Sequence, residues 1–326
     1  MKLEELGEFP FLSRLRARVP VDPRVSLGIG DDCAALTLPG TTVITTDAMV
    51  ENVHFRREWG SFYALGEKAF AANASDIAAM GATPTFALLS LAVPQDCEVQ
   101  VLDEFFDGFL HAAKTDGAAL IGGNMSAAPC FMVSVTLLGQ AQHGVLKRAG
   151  ARVGDDVYVT GTPGDAAVGL RMLQEGRDDA PARAAKARFL TPTARTAIGR
   201  EVAAYGLATA MIDVSDGVLQ DLGHLCGASH VAAAVEASLL PLSTCYREIL
   251  GASDWSCALT GGEDYELLFS AAAGHRIALA ELAETIGCPI TRIGHIVPQS
   301  QGIRVYDPDG GEYVPVRAGY DHFHRA

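Results

Sequence analysis

The chain is short of positive charge: 25 Lys and Arg stand against 39 Asp and Glu, a net charge of −14. A surface of that sign repels nucleic acid and anionic membranes. It does not exclude anionic ligands, which metal ions or backbone N–H groups can hold. No uncharged apolar run reaches the ~18 residues that span a bilayer. The opening Met1-Lys2-Leu3-Glu4-Glu5-Leu6 lacks the basic and apolar regions of a secretory signal. The seven cysteines (33, 97, 130, 226, 245, 257, 288) are odd in number and include no CxxC pair. Reduced thiols in the cytosol are therefore expected, not a disulfide framework or a zinc site. The common nucleotide signatures are missing too. There is no G-x-x-x-x-G-K-[ST], no H-R-D and no D-F-G, and Gly161-Thr162-Pro163-Gly164-Asp165 lacks the lysine. Ser215 has no G-x-S-x-G context, which argues against a hydrolase nucleophile.

What is present is an ordinary globular composition, 49% hydrophobic and 20% charged, with 34 glycines for tight turns. At ~150 residues per domain, 326 residues suggest two domains. The polar, Gly-rich stretch 141–156 marks the boundary, giving domains 1–150 and 151–326. Apolar periodicity predicts helices over 3–18, 61–80, 99–115, 166–174, 193–205 and 275–287, and one from about Asp216. Strands are expected at 41–46, 86–93, 118–121, 131–140, 157–160, 208–213, 231–236 and 265–269, with short ones at 290–297, 303–306 and 312–316. Residues 176–188 read as a polar loop or frayed helix, a candidate lid. The class is α/β of the α+β type. Each half carries a strand, an acidic turn and a helix.

The acids carry the chemical signal. Asp31 and Asp32 follow the turn Gly28-Ile29-Gly30, Asp47 follows Thr45-Thr46, and Asp76 follows Asn73 by three on one helix face. Asp213-Val214-Ser215-Asp216-Gly217 and Gly261-Gly262-Glu263-Asp264 lie far downstream. Each sits at a strand end or helix start beside Gly, Ser or Thr, where α/β proteins place ligands. Such carboxylates are either turn and cap residues or ligands for hard cations that bridge to phosphate. Gly122-Gly123-Asn124 follows a strand; it is a plain turn or a cradle whose N–H groups approach phosphate. His54 is a structural histidine or a ligand contact. Gly319-Tyr320-Asp321-His322-Phe323 either anchors the terminus or closes over a ligand.

In this order and spacing the motifs resemble the thiamine-monophosphate kinases over essentially the whole length. The matching stretches are Gly28–Asp32, Thr45–Asp47, His54-Phe55, Asn73–Ala82, Gly122-Gly123, Arg148, Val159–Asp165, Asp213–Gly217, Gly261–Leu267 and Gly319–Phe323. That family belongs to the aminoimidazole ribonucleotide synthetase-like superfamily. The resemblance implies an N-terminal domain that dimerises through its sheet and a C-terminal α/β domain, with ATP and several Mg²⁺ ions bound. It implies direct in-line transfer from ATP to thiamine monophosphate. Carried over by position, Asp31, Asp32, Thr45, Thr46, Asp47, Asp76, Asp213 and Asp216 match metal-binding positions. Gly123, Asn124, Arg148 and Ser215 match ATP contacts, and His54, Glu263 and Tyr320 substrate contacts. Asn124 stands where the family commonly has a metal-binding Asp, and offers only a neutral oxygen. The competing expectations are another ATP-using enzyme of the superfamily or a non-catalytic nucleotide or metal sensor.

Overall fold

In residues 132–141 every second side chain is apolar. Val133, Val135 and Leu137 are buried while the residues between them are more open, which makes this strand the centre of a one-face-covered sheet. The computed structural model describes residues 1–28, 33–315 and 319. The chain divides into two units, Met1–Ile77 with Thr83–Gln142, and Ala78–Ala82 with His143–Ala326.

The first unit runs α1 (Leu3–Leu6), α2 (Glu8–Arg18), β1 (Val25–Leu27), β2 (Ala35–Leu36), β3 (Thr41–Val50), α3 (Phe62–Ala79), β4 (Thr83–Val93), α4 (Val99–Thr115), β5 (Ala119–Ala127) and β6 (Met132–Ala141). Its main sheet has the order β3-β6-β4-β5, with β4 and β5 parallel and the other pairs antiparallel. Helices α3 and α4 meet backbone to backbone at two glycines. A Cβ on Gly66 would lie 2.1 Å from the Phe105 carbonyl, and one on Gly108 would lie 1.9 Å from that of Tyr63. Phe70, Phe105, Phe109 and Phe131 fill the space around this crossing.

Three expectations change here. The helix expected over 3–18 is two helices, because Gly7 takes φ +85°. The strand expected to end before Asp47 continues to Val50, so Asp47 lies inside β3. As an edge strand, β3 tolerates a charge there. Gly122-Gly123-Asn124 is not a turn but the middle of β5. Gly123 is glycine because a Cβ would come within 2.0 Å of the Leu89 carbonyl on the neighbouring strand.

The second unit runs β7 (Asp156–Thr160), α5 (Asp165–Gln174), α6 (Ala180–Leu190), α7 (Thr196–Ala204), β8 (Ala210–Val214), α8 (Val218–Ser229), β9 (Val231–Glu236), α9 (Thr244–Leu250), α10 (Ser256–Thr260), β10 (Glu266–Ala271), α11 (Arg276–Ile286), β11 (Ile290–Pro298) and β12 (Arg304–Tyr306). The sheet order is β12-β9-β11-β7-β10-β8, antiparallel except for β12 against β9. Every residue of β7, β8 and β10 is buried, so both faces are covered. Val159, Ile212, Val214 and Leu268 pack with Val168, Leu222 and Tyr246. Tyr158, Met211 and Phe269 pack with Ile198, Val202 and Leu279. This is the mixed α/β class expected from the sequence.

The stretch 176–188, read as a polar loop or frayed helix, carries most of the regular helix α6. Asp179 caps it by accepting from the Ala182 N–H at 3.0 Å, and Ala182, Ala185 and Phe189 are buried. Gly169 of α5 lets the Ala185 carbonyl approach to where a Cβ would be 2.2 Å away. The polar surface of α6 hid this narrow apolar stripe. No strand forms over 312–315; Glu312 makes a single bridge to Tyr306.

Candidate active site

In the first unit β3 and α3 bring together two of the sequence-predicted acids. Thr45 and Asp47 are two apart, and register pairs them with the buried Leu137 and Val135, so they lie on the helix-covered face of the sheet. Asn73 and Asp76 of α3 meet them there. The Thr45 hydroxyl donates to Asp76 Oδ2, and the Asp47 N–H donates to Asn73 Oδ1 at 3.0 Å. Asn73 is fixed in turn by its own bond to the Ala69 carbonyl, 3.1 Å. Hydroxyl and carboxylate oxygens are the donors a hard cation such as Mg²⁺ takes, so this set fits one. Among the described residues no three His, Cys, Asp or Glu side chains gather to hold a metal.

Thr46 points the other way. Its hydroxyl donates to the Val135 carbonyl at 3.0 Å and accepts from Thr136 at 3.2 Å. Asn124 is level with Ser90 and Ser134, also on the open face. It lines a cavity of about 1120 Å³ along β5 with Gly122, Gly123 and Cys33. Three strand spacings of ~4.8 Å separate β5 from β3. Within one chain, Asn124 therefore stands apart from the Thr45–Asp47–Asp76 set. At the end of β3, His54 Nδ1 accepts the Val50 N–H at 3.0 Å, which leaves the neutral ring its proton on Nε2.

In the second unit three motif turns converge at one end of the sheet. The turn 215–217 leaves β8, the turn 161–164 leaves β7, and 261–265 enters β10. Glu263 N–H donates to the Ser215 carbonyl at 2.8 Å, and Tyr265 N–H to that of Val214 at 2.9 Å. Asp213 is buried on β8 opposite Leu267. Asp216 Oδ2 accepts from Gln220 Nε2 at 3.1 Å. Glu263 and Tyr265 take φ of 66° and 53°, which costs non-glycine residues ~1–3 kcal/mol each and is characteristic of functional turns.

Two carboxylates hold these turns: Asp264, one of the acids singled out in the sequence as either a cap or a ligand, and Asp221, which the sequence did not single out. The helices α5 and α8 both have a glycine at the N-cap, Gly164 and Gly217, which carries no capping oxygen. Each borrows one. Asp264 accepts from Gly164 N–H at 2.5 Å and Ala166 N–H at 3.1 Å. Asp221 Oδ2 accepts from the N–H groups of Ser215, Asp216 and Gly217, each at 3.1 Å. Those five donors are thereby committed to the protein. The glycine caps were the available signal: a helix start without its own acceptor needs one from elsewhere. Burial pushes the Asp221 carboxyl up to about 6 and the Asp264 carboxyl well above the carboxylate range. Asp165, also raised by burial, accepts from Thr162 and Ser243 at 2.6 Å each.

Arg148 is exposed, and its carbonyl accepts from the Ser229 hydroxyl at 3.0 Å. Asp31, Asp32 and Tyr320 lie outside the described residues. Gly319 is described: a Cβ there would lie 2.9 Å from the Asp216 carbonyl. None of the helices among the described residues is long and apolar enough to cross a membrane.

Two domain models match the chain, one lying largely in each unit. Residues 30–141 match the AIR synthase related protein N-terminal domain, and residues 152–307 the corresponding C-terminal domain. Within that class the particular relatives agree. Thiamine-monophosphate kinase of Escherichia coli strain K12 is 38% identical over 325 residues, covering 97% of this chain and 98% of the relative. The crystal structure of the thiamine-monophosphate kinase of Stenotrophomonas maltophilia K279a matches with a TM-score of 0.84 at 41% identity, covering 94% of this chain and 98% of that one. A complex of AaThiL with AMPPCP and TMP matches with a TM-score of 0.76 at 33% identity, covering 99% of both chains. The chain belongs to the thiamine-monophosphate kinase family, whose members are phosphotransferases.

Proposed function

We propose that this chain phosphorylates thiamine monophosphate to thiamine diphosphate at the expense of ATP, by direct in-line transfer assisted by several Mg²⁺ ions. The observation that carries this reading is the match over 99% of both chains to a relative in complex with AMPPCP and TMP. Thr45, Asp47 and Asp76 would hold one Mg²⁺ ion, with Asp31, Asp32 and Thr46 in the same role from their own positions. Asp213 and Asp216 would serve a further ion, and Asn124 another. Bound Mg²⁺ supplies charge neutralisation between these carboxylates and the phosphates. Gly123, Asn124, Arg148 and Ser215 are assigned to ATP. His54, Glu263 and Tyr320 are assigned to the acceptor, with His54 presenting Nε2–H.

No general base is required. The acceptor is a phosphate monoester with a second pKa of ~6, already largely deprotonated near neutral pH. We assign ATP and Mg²⁺ binding and dimerisation to residues 1–150, and a second α/β domain to 151–326. The exposed Ile44, Leu88 and Met132 on the open face of the first sheet support a homodimer. Seven free cysteines support a reducing cytoplasm. The test is incubation with thiamine monophosphate, ATP and Mg²⁺, following ADP release and thiamine diphosphate formation together. Folded protein that binds ATP and forms no thiamine diphosphate would refute the reading.

A further inference from the structure

We propose that Glu266, held by Arg188 and Arg195, is a positioning residue that fixes the turn 261–265; its catalytic consequence rests on the proposed contact of Glu263 with the acceptor. Glu266 is fully buried at the start of β10, one residue after the strained Tyr265 and three after the strained Glu263. Both its oxygens are taken. Oε1 accepts from Arg188 at 2.8 Å and Arg195 at 2.5 Å, and Oε2 accepts from Arg195 Nε and the Thr160 hydroxyl, both at 2.6 Å. Arg195 thus makes a two-pronged contact, the geometry that best resists rotation of a carboxylate. Thr160 in turn accepts the Leu267 N–H at 2.8 Å. One carboxylate therefore ties the end of β7, helix α6, the segment before α7 and the start of β10.

The same group also shapes the neighbouring turn. Gly161 takes φ +58°, and a Cβ on it would lie 2.0 Å from Glu266 Oε1. Only glycine lets turn 161–164 lie against the carboxylate. Backbone at positive φ persists only where its surroundings over-determine it. Around Glu263 and Tyr265 those surroundings include the bonds to the Ser215 and Val214 carbonyls, the Asp264 cap and, on the downstream side, Glu266. The cluster is also more than a saturated ion pair. Two guanidinium groups face one carboxylate, and Arg188 Nε is buried with no hydrogen-bond partner among the described residues. A buried network that serves stability alone gains little over apolar packing. This one sits under the strained turn and binds both motif turns beside it.

The experiment compares wild type with Glu266→Gln and the milder Arg188→Gln. It measures KM for thiamine monophosphate and for ATP, kcat, the melting temperature, and amide hydrogen exchange across 261–267. Both variants are expected to speed exchange at Glu263 and Tyr265. They should raise KM for thiamine monophosphate about tenfold or more while KM for ATP stays within about twofold. If Glu266→Gln fails to fold, Arg188→Gln carries the test. Exchange at Glu263 and Tyr265 equal to wild type overturns the proposal. So does a fall in activity that moves both KM values in proportion to lost thermal stability. A wild type that exchanges as expected but forms no thiamine diphosphate overturns the proposed reaction alone, since the exchange readout needs no turnover.

Discussion

Asp264 accepts the backbone N–H of Gly164 at 2.5 Å, closing the start of a helix that lies 100 residues earlier in the chain. Because Asp264 also takes the Ala166 N–H, both its oxygens are in use. Asp264→Asn replaces one acceptor by an amide NH₂ that faces an N–H. A loss of about 1–3 kcal/mol is expected. Burial raises the Asp264 carboxyl, so the folded protein holds that proton more tightly than the unfolded chain does. The contribution is therefore present below the ordinary carboxylate value and lost as pH rises through the folded one. Urea midpoints taken upward from about pH 4 should show the gap between wild type and Asp264→Asn narrowing as pH rises. A gap that widens would mean the carboxylate form is the one that stabilises the cap.

The glycines at the α3–α4 crossing give a second prediction. Alanine normally gains about 1 kcal/mol over glycine inside a helix. At Gly108 that gain is overridden, because the added Cβ would sit 1.9 Å from the Tyr63 carbonyl and the helices must separate. Overpacking of this kind costs about 1–3 kcal/mol or more. Gly108→Ala should lower the denaturation midpoint of the first unit. Gly117→Ala, with open space around its position, tests the control: its penalty comes only from the positive φ of 76°.

Much of this architecture was legible from periodicity. The α4 helix was read at its observed bounds, and the strand at 231–236 likewise. The alternation of Val133, Val135 and Leu137 belongs to a strand whatever surrounds it. Residues 122–124 were misread because paired glycines signal a turn locally, while here they answer to a carbonyl on a neighbouring strand. The α6 helix was legible only as a polar loop or frayed helix because its buried stripe is mostly alanine. At the candidate site, composition and turn chemistry singled out Thr45, Asp47, Asp76, Asp213 and Glu263. They could not find Asp221, Arg188, Arg195 or Glu266 as holders of those turns, since such roles arise from contacts between distant segments.

Electrostatics on the second sheet give a prediction of opposite pH sign. Hydrogen bonds from Arg276 at 2.6 and 2.8 Å, together with Arg292 at 2.7 Å, hold the Asp156 carboxyl below its ordinary value against the effect of burial. A depressed carboxyl stabilises the fold above its unfolded pKa and loses that effect as pH falls through the folded one. Asp156→Asn should cost about 1–2 kcal/mol at pH 7, after allowance for the exposed Arg276. The difference from wild type should shrink below about pH 4 and weaken with added salt. Thermal unfolding at pH 7 and pH 3 reads both effects.

The last prediction separates the two faces of the first sheet. Asp76 accepts from Thr45 on the helix-covered face, whereas Asn124 lies level with Ser90 on the open face. If the first set holds Mg²⁺, Asp76→Asn removes charge where the ion needs it and leaves the fold intact, since an amide oxygen can still accept from Thr45. Turnover should fall by two or more orders of magnitude and should not recover with excess Mg²⁺. Asn124→Asp adds a carboxylate about three strand spacings from Asp47. It should lower the Mg²⁺ concentration for half-maximal rate by only a few-fold. Crucially, Asn124→Asp should not restore an Asp76→Asn enzyme, because the two side chains address different ions. Restoration in the double variant would place both residues on one shared ion, and a full rate in Asp76→Asn would remove that residue from the metal set altogether.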